Sequence, residues 1–283
     1  MARETIHPST TVGSVHLTVR DLDALVSYYS ERLGFAPSRR TREGVALGAG
    51  GPDLLVLAGR PDAPRARGTT GLYHFAVLVP SRRDLADALQ HLLDTRTPLA
   101  GASDHGVSEA LYLADPEGNG IEIYRDRPRA EWPMENGQPL LVSDPLDLDG
   151  LLADRSARGG TGGLPAGTRI GHVHLRVADL AAAERFYADA LGFEIVARLG
   201  GAALFVAAGG YHHHIGLNTW GGEGAPPPPP GAAGLRHFVL RLPDAKERDK
   251  VVERARAAGI GVEESQEGAA LADPSSNRLV LAV

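Results

Sequence analysis

Residues 105–124, HGVSEALYLADPEGNGIEIY, decide how the rest of the chain is read. Asp115-Pro116-Glu117-Gly118-Asn119-Gly120 is a tight turn: proline fixes φ, and glycine and asparagine tolerate positive φ. Ala110, Tyr112 and Ala114 share one face of the strand before it, and Gly120, Glu122 and Tyr124 share one face of the strand after it. Antiparallel pairing about Glu117 sets Tyr112 opposite Glu122. Ile121 and Ile123 point the other way. A carboxylate in an isoleucine-rich strand is costly to bury unless something pairs with it. Two readings stay open from this strand alone: an exposed glutamate on a half-buried strand, or a partnered carboxylate in a site.

The 283 residues suffice for two ordinary domains, and a hydrophobic fraction of 43% suits a globular chain. A net charge of -6 argues against nucleic acid or an anionic membrane as partner. No apolar run is long enough to span a bilayer, and the start, MARETIHPSTT, lacks a signal-peptide core, so the cytoplasm is the expected location. Without cysteine, disulfides and thiolate metal sites are excluded; the eleven histidines are the excess.

Working outward, the chain repeats itself. SVHLTVRDLDALVSYYSERLGF at 14–35 matches HVHLRVADLAAAERFYADALGF at 172–193, with a histidine, Asp-Leu, Tyr and Leu-Gly-Phe at identical offsets. A short strand leads into a helix in each. Asp21 and Asp179 are the expected N-caps, and Gly34 and Gly192 the C-terminal stops. Leu22, Leu25, Val26, Tyr29 and Leu33 recur at helical spacing and mark a core face. GLYHFAVLVP at 71–80 likewise matches GLRHFVLRLP at 234–243. Each leads to a charged helical stretch, 82–94 or 244–258, and then to two strands about an Asp-Pro turn. Four strand–helix–strands repeats result, beginning near 13, 71, 171 and 234. Residues 128–167 connect the halves: 129–139 is polar and irregular, 146–153 suits a short helix, and 156–167 is glycine-rich and reads as flexible. Pro226 to Pro230 is a stiff polyproline spacer.

Histidines sit in the first strand of every repeat: His16, His74, His174 and His237 are read as one repeated position. Common descent of the repeats explains this as well as function does. The second repeat adds His105, Tyr112 and Glu122; the fourth has Val280 where the second has Glu122. The third adds Tyr211-His212-His213-His214, where alternation sets His213 with Tyr211 and Ile215. The strand at 53–57 of the first repeat carries nothing reactive. Two histidines and one carboxylate suit a non-haem Fe(II) site with open positions, and equally Mn(II). A loop histidine beside Asp104 is the plainer reading of His105, and a surface strand edge that of the three consecutive histidines.

In combination, the DL…FY…LGF helices, YHFA, HGVSEALYL, DPEGNGIEIYRDRP and YHHHIGLN resemble the vicinal-oxygen-chelate superfamily of glyoxalases, bleomycin-resistance proteins and extradiol dioxygenases. The resemblance covers almost the whole chain and is closest to the bacterial two-domain catechol-2,3-dioxygenase branch. It implies an α+β fold of four βαβββ units forming two half-barrel domains, at 10–127 and 168–283, joined by 128–167. It further implies that His74, Glu122 and His174 hold Fe(II), with the first unit pairing with the fourth and the second with the third. His16 in place of His174 is the rival, and His16 with His237 would make a second cup without a carboxylate.

The activity implied is ring cleavage of catechol or a substituted catechol by O2 to a ring-opened semialdehyde. His213 is the implied acid–base residue, and His105 and Tyr112 would hydrogen-bond the substrate oxygens. The partners are a small aromatic diol and O2; a homo-oligomer is compatible with the sequence. Two other classes are weighed. A glyoxalase-type lyase or isomerase has a second carboxylate where this chain has His213, and a metal-free binding protein of the drug-resistance kind needs no ligand triad.

Overall fold

Residues 4–42, 44–157 and 163–283 are described by a computed structural model. The fold is α+β, built from four βαβββ repeats in chain order. The first has β1 (Thr11–Val19), α1 (Leu22–Leu33), β2 (Ala36–Arg40), β3 (Gly44–Gly48) and β4 (Asp53–Gly59). The second has β5 (Gly71–Leu78), α2 (Arg82–Asp94), β6 (Gly101–Asp104), β7 (Ser108–Ala114) and β8 (Gly120–Asp126). A connection follows, with a 3-10 turn (Arg129–Glu131), β9 (Met134–Glu135), β10 (Gln138–Pro139), β11 (Asp144–Pro145) and α3 (Leu148–Ala153). The third has β12 (Arg169–Arg176), α4 (Leu180–Glu184), β13 (Glu194–Leu199), β14 (Ala203–Ala207) and β15 (Ile215–Asn218). The fourth has β16 (Gly234–Arg241), α5 (Ala245–Ala257), β17 (Glu263–Ser265), β18 (Gly268–Ala272) and β19 (Arg278–Ala282). The glycine-rich stretch 156–167, expected to be flexible, falls partly outside the described residues.

The chain divides into two compact units: one draws on both halves of the sequence, the other on the first half, the connection and the opening of β12. One comprises Met1–His16, Pro64–Tyr73 and His172–Val283; the other comprises Leu17–Ala63 and His74–Gly171. In the former, β17-β18-β19-β16 continues to the opening of β1, and β13-β14-β15-β12 continues to the opening of β5. First strands of repeats one and four, and of two and three, thus lie side by side. Arg176 Nη1 donates to the Leu72 carbonyl at 2.6 Å across the second of these seams. In the latter unit, β2-β3-β4 lies beside the end of β1, and β11-β6-β7-β8-β5 forms the other ladder.

The caps follow the sequence. Asp21 Oδ1 accepts from Ala24 N and Asp179 Oδ1 from Ala181 N and Ala182 N. Gly34 and Gly192 both take positive φ, 77° and 89°, which glycine adopts without a Cβ clash. On α1, Leu25, Tyr29 and Leu33 are buried and Leu22 and Val26 half-buried. The third repeat departs from a plain helix: α4 passes into a π-helical turn, Arg185–Ala190. There the consecutive residues Phe186, Tyr187 and Ala188 are all buried, a wider stripe than the three-and-four spacing of an α-helix gives.

The turn that opened the sequence reading holds a helix in place. Pairing runs Ala114↔Gly120, Tyr112↔Glu122 and Ala110↔Tyr124, the register expected. Asp115 is 5% exposed, and its carboxylate accepts from Glu117 N, Asn119 N, Asn119 Nδ2 and the Tyr29 hydroxyl, the last at 2.8 Å. The Glu117 carboxylate accepts from Arg20 N and Asp21 N just before α1. Repeats three and four duplicate the arrangement: the Asp273 carboxylate accepts from Ser275 N, Asn277 N, Asn277 Nδ2 and the Tyr187 hydroxyl. Burial raises both aspartyl pKa values, opposed by these hydrogen bonds, and burial also raises those of Tyr29 and Tyr187. Asp115→Ala is expected to strand several buried donors together and to lower stability by on the order of 3 kcal/mol in urea unfolding. Asp273→Ala should cost a similar amount.

Candidate functional site

The β7–β8 hairpin has two chemically different faces. Glu109, Leu111, Leu113, Ile121, Ile123 and Arg125 point to one side. There the buried Glu109 carboxylate is neutralised by arginines: Arg125 Nε at 2.7 Å, Arg82 Nε at 2.9 Å from α2, and Arg127 Nη2 at 3.3 Å. The other side carries Ala110, Tyr112, Glu122 and Tyr124, with Ala76 and Leu78 of β5 packed beside them. Glu122 is 2% exposed and His74 6% exposed, and His74 Nε2 stands 3.0 Å from Glu122 Oε2. A buried carboxylate on this face meets an imidazole instead of a guanidinium. The exposed-glutamate reading is therefore excluded.

Tyr112 lies directly opposite Glu122 in the ladder, its ring 5.7 Å from that of His74. Its hydroxyl is 2.7 Å from His105 Nε2, while His105 Nδ1 is 2.6 Å from the Val142 carbonyl. A carbonyl only accepts, so Nδ1 carries the proton and the neutral ring accepts at Nε2 from the Tyr112 hydroxyl. His105 is thus held by the connection, since Val142 lies just before β11. Gly106 (φ 74°) lets that segment approach: a Cβ there would come within 2.9 Å of Pro133 Cγ. Asp104, the neighbour that suggested an ordinary loop histidine, is engaged instead by Arg127 and by Gly106 N.

The other compact unit gathers the other candidate histidines. His172 and His213 have ring centroids 4.1 Å apart. His213 Nδ1 lies 2.9 Å from Nδ1 of the fully buried His212, so one ring donates to the other. Strand alternation had set His213 with Tyr211 and Ile215, but β15 begins only at Ile215. Gly209 and Gly210, with φ of 59° and 68°, curl the chain ahead of it. Tyr211 consequently packs on His212 and His214, with centroids 4.1 and 4.9 Å apart. His174 sits among Tyr73, Phe205 and Trp220, with centroids 5.1, 5.6 and 5.3 Å away.

Counting from the observed caps corrects the repeat position read from sequence. His74, His172 and His237 each precede their N-caps, Ser81, Asp179 and Asp244, by seven residues. His16 and His174 precede Asp21 and Asp179 by five. Four histidines therefore do not share one position: Ser14 stands where the first repeat would have its histidine. His174 corresponds to Ala76. Ladder registers agree, since Ala76 faces Glu122, His174 faces Gly216 and Val239 faces Val280. A Cβ on Gly216 would lie 2.8 Å from the His174 ring. The glycine is the space that this imidazole fills. His172 was passed over because the local match VHL…DL aligns His16 with His174; the count to the cap is the signal that finds it.

His16 and His237 form a separate cluster. Their rings stack at 4.0 Å, His16 Nε2 is 2.9 Å from Ser14 Oγ, and His237 Nε2 is 2.8 Å from Glu267 Oε2. Burial lowers the His237 pKa most, opposed by Glu267, while Arg236 and Arg278 lower it further.

A family model for the Glyoxalase/Bleomycin resistance protein/Dioxygenase superfamily matches residues 11–123 and 169–279. Catechol-2,3-dioxygenase of Bacillus subtilis (strain 168) is 43% identical over 280 residues, 97% of this chain and 98% of that protein. A putative dioxygenase of B. subtilis subsp. subtilis str. 168 has the same fold, with TM-score 0.64 at 14% identity over 99% of this chain and 86% of its own. Glyoxalase I of Zea mays matches with TM-score 0.59 at 18% identity, over 96% and 92%.

The tautomer of His105 is open to direct measurement. Imidazole 15N shifts in the neutral protein should report hydrogen on Nδ1, and Tyr112→Phe should leave it there, because the Val142 carbonyl and not the phenol fixes it. A ring protonated at Nε2 would contradict the geometry.

Proposed function

This enzyme, an oxidoreductase, belongs to the glyoxalase/bleomycin-resistance/dioxygenase superfamily, and within it we propose an extradiol dioxygenase that opens the ring of catechol or a substituted catechol with O2. Both oxygen atoms enter the product, a ring-opened semialdehyde. The observation that carries the reading is the buried His74–Glu122 pair on the face that also presents Tyr112 and, behind it, His105. Identity to a catechol-2,3-dioxygenase over nearly the full length supports the same reaction here.

The donors fit a divalent metal. In six-coordinate geometry, bonds of about 2.1 Å to one cation place neighbouring ligand atoms roughly 3 Å apart, and His74 Nε2 and Glu122 Oε2 are separated by 3.0 Å. We take Fe(II) as the metal; Mn(II) suits the same imidazole and carboxylate set. For the third ligand the proposal moves from His174 to His172. His172 is the positional counterpart of His74, and it has His213 against its ring. His174 is the counterpart of Ala76 and is packed among aromatic rings. Bound at these ligands, Fe(II) supplies Lewis acidity to a chelated diol and a redox partner for O2.

The chain's own groups manage the protons. His213 takes a substrate hydroxyl proton and returns it to the product, acid–base work for which an imidazole is suited. With His105 neutral, Tyr112 donates to Nε2 and offers its oxygen lone pair to a substrate hydroxyl. When His105 gains a proton at Nε2 it becomes the donor, and the Tyr112 O–H turns towards a developing substrate oxyanion. His105 and Tyr112 thus switch together between accepting from and donating to the diol. Ala76, Ala110 and Leu78 keep the floor of this face apolar, which strengthens each of these hydrogen bonds by excluding water.

Glu122→Ala is expected to lose one equivalent of iron and catechol-dependent O2 uptake while keeping its circular-dichroism spectrum. His172→Ala should do the same. His174→Ala should retain the iron and lose stability, through the gap left among Tyr73, Phe205 and Trp220. If His174→Ala empties the site while His172→Ala keeps it filled and active, the assignment of the third ligand is wrong. Full iron content in Glu122→Ala would sink the site as a whole. His213→Ala should keep its iron yet turn over catechol roughly 10²–10⁴-fold more slowly; wild-type turnover would remove it from the reaction.

A further inference from the structure

We propose that His16, His237 and Glu267 form a second divalent-metal site, of the kind imidazole and carboxylate prefer, such as Zn(II). It lies wholly within the compact unit containing β16–β19, and none of its residues takes part in the chemistry above. One ligand atom from each of the three lies within 4.8 Å of the other two. His16 on β1 and His237 on β16 come from neighbouring strands, and Glu267 comes from the turn between β17 and β18.

Tetrahedral ligands on bonds of about 2.1 Å stand roughly 3.4 Å apart. The contraction needed is small and falls on Glu267, whose side chain is 51% exposed and able to swing. The imidazoles are already placed: His16 is 8% exposed, and the ring of His237 is stacked on it. Ser14 Oγ, at 2.9 Å from His16 Nε2, fixes that ring's rotation.

The arrangement is not a copy of the His74–Glu122 site. At the equivalent positions repeats one and four carry Ser14 and Val280, so the inherited carboxylate and one inherited histidine are absent there. The donors present come from elsewhere: His16 two residues along its strand, and Glu267 from a turn. Below them lies an apolar floor of Val239, Ala270, Val280 and Ala282, each less than 9% exposed. A buried imidazole stacked on a half-buried one, with a carboxylate at the rim of an apolar surface, is a sparing way to hold a cation with open coordination positions.

The test is metal stoichiometry on the full chain. Metal-stripped wild type, Glu267→Gln and His237→Ala are each equilibrated with Zn(II), passed through a desalting column and assayed for bound metal. Co(II) is used in parallel for its visible bands. Wild type should carry one more equivalent than either variant, and Glu267→Gln, at an exposed turn, should keep the wild-type melting profile and catechol turnover. In Glu122→Ala the Co(II) bands of the second site should persist. Equal stoichiometry in wild type and Glu267→Gln overturns the proposal. A Glu122→Ala protein that keeps full stoichiometry while Glu267→Gln loses one equivalent would count against the catalytic assignment and leave this one standing.

Discussion

A carboxylate buried in a turn organises each compact unit. Asp115 Oδ1 accepts from the backbone of its own turn, and Oδ2 accepts from both the Asn119 side chain and the Tyr29 hydroxyl of α1. Asp273 does the same with Asn277 and Tyr187. Such a group is costly to desolvate, and its raised pKa records that cost. Every donor it meets is therefore pinned: moving the helix leaves a phenol unpaired, and moving the turn leaves amides unpaired. The turn fixes the register of β7 against β8, and the register decides that Glu122 stands opposite Tyr112. The chemistry of the site is downstream of an aspartate that never touches it.

A second consequence is the separation of charge between the faces of one hairpin. Glu109 and Glu122 are both deeply buried, but the former meets three arginines and the latter an imidazole and a phenol. An arginine cannot surrender its proton or bind a cation, so the Glu109 cluster offers neither an acid–base group nor a metal site. It ties α2 and, through Arg82 and Asp154, the residues after α3 to the hairpin. A carboxylate facing His74 and Tyr112 meets groups that can give up a proton. The same residue type thus meets arginines on one face and an imidazole on the other, and strand alternation alone separates the two environments.

The fold was legible because its signals are short-range. Caps, stops, helix faces, the Asp-Pro turn and the hairpin register depend on residues a few positions apart, and α2 runs Arg82–Asp94 as its pattern requires. Of the candidate residues, Tyr112 and Glu122 on that hairpin and His74 on the adjoining β5 fall together. Failures came where local similarity competed with position. VHL in repeats one and three aligned His16 with His174 and hid His172, seven residues ahead of its cap. His213 was placed by alternation, yet two glycines of positive φ break the strand before it. The Val142 carbonyl that orients His105 left no trace, since every residue carries a carbonyl. Glu267 looked like any turn glutamate. The polyproline run is held at one end, where Pro226 accepts from Thr70 N.

The facing pairs Ala76–Glu122, His174–Gly216 and Val239–Val280 occupy equivalent rungs in three repeats. Small sits opposite large, large opposite small, and medium opposite medium, because each rung fills a similar space. Neither member of such a pair can drift alone. A carboxylate arriving at 216 collides with the imidazole at 174, and an imidazole arriving at 76 collides with the carboxylate at 122. A double exchange at one rung is therefore expected to be tolerated where either single exchange leaves it overfilled or hollow, so the two positions behave as one unit of packing.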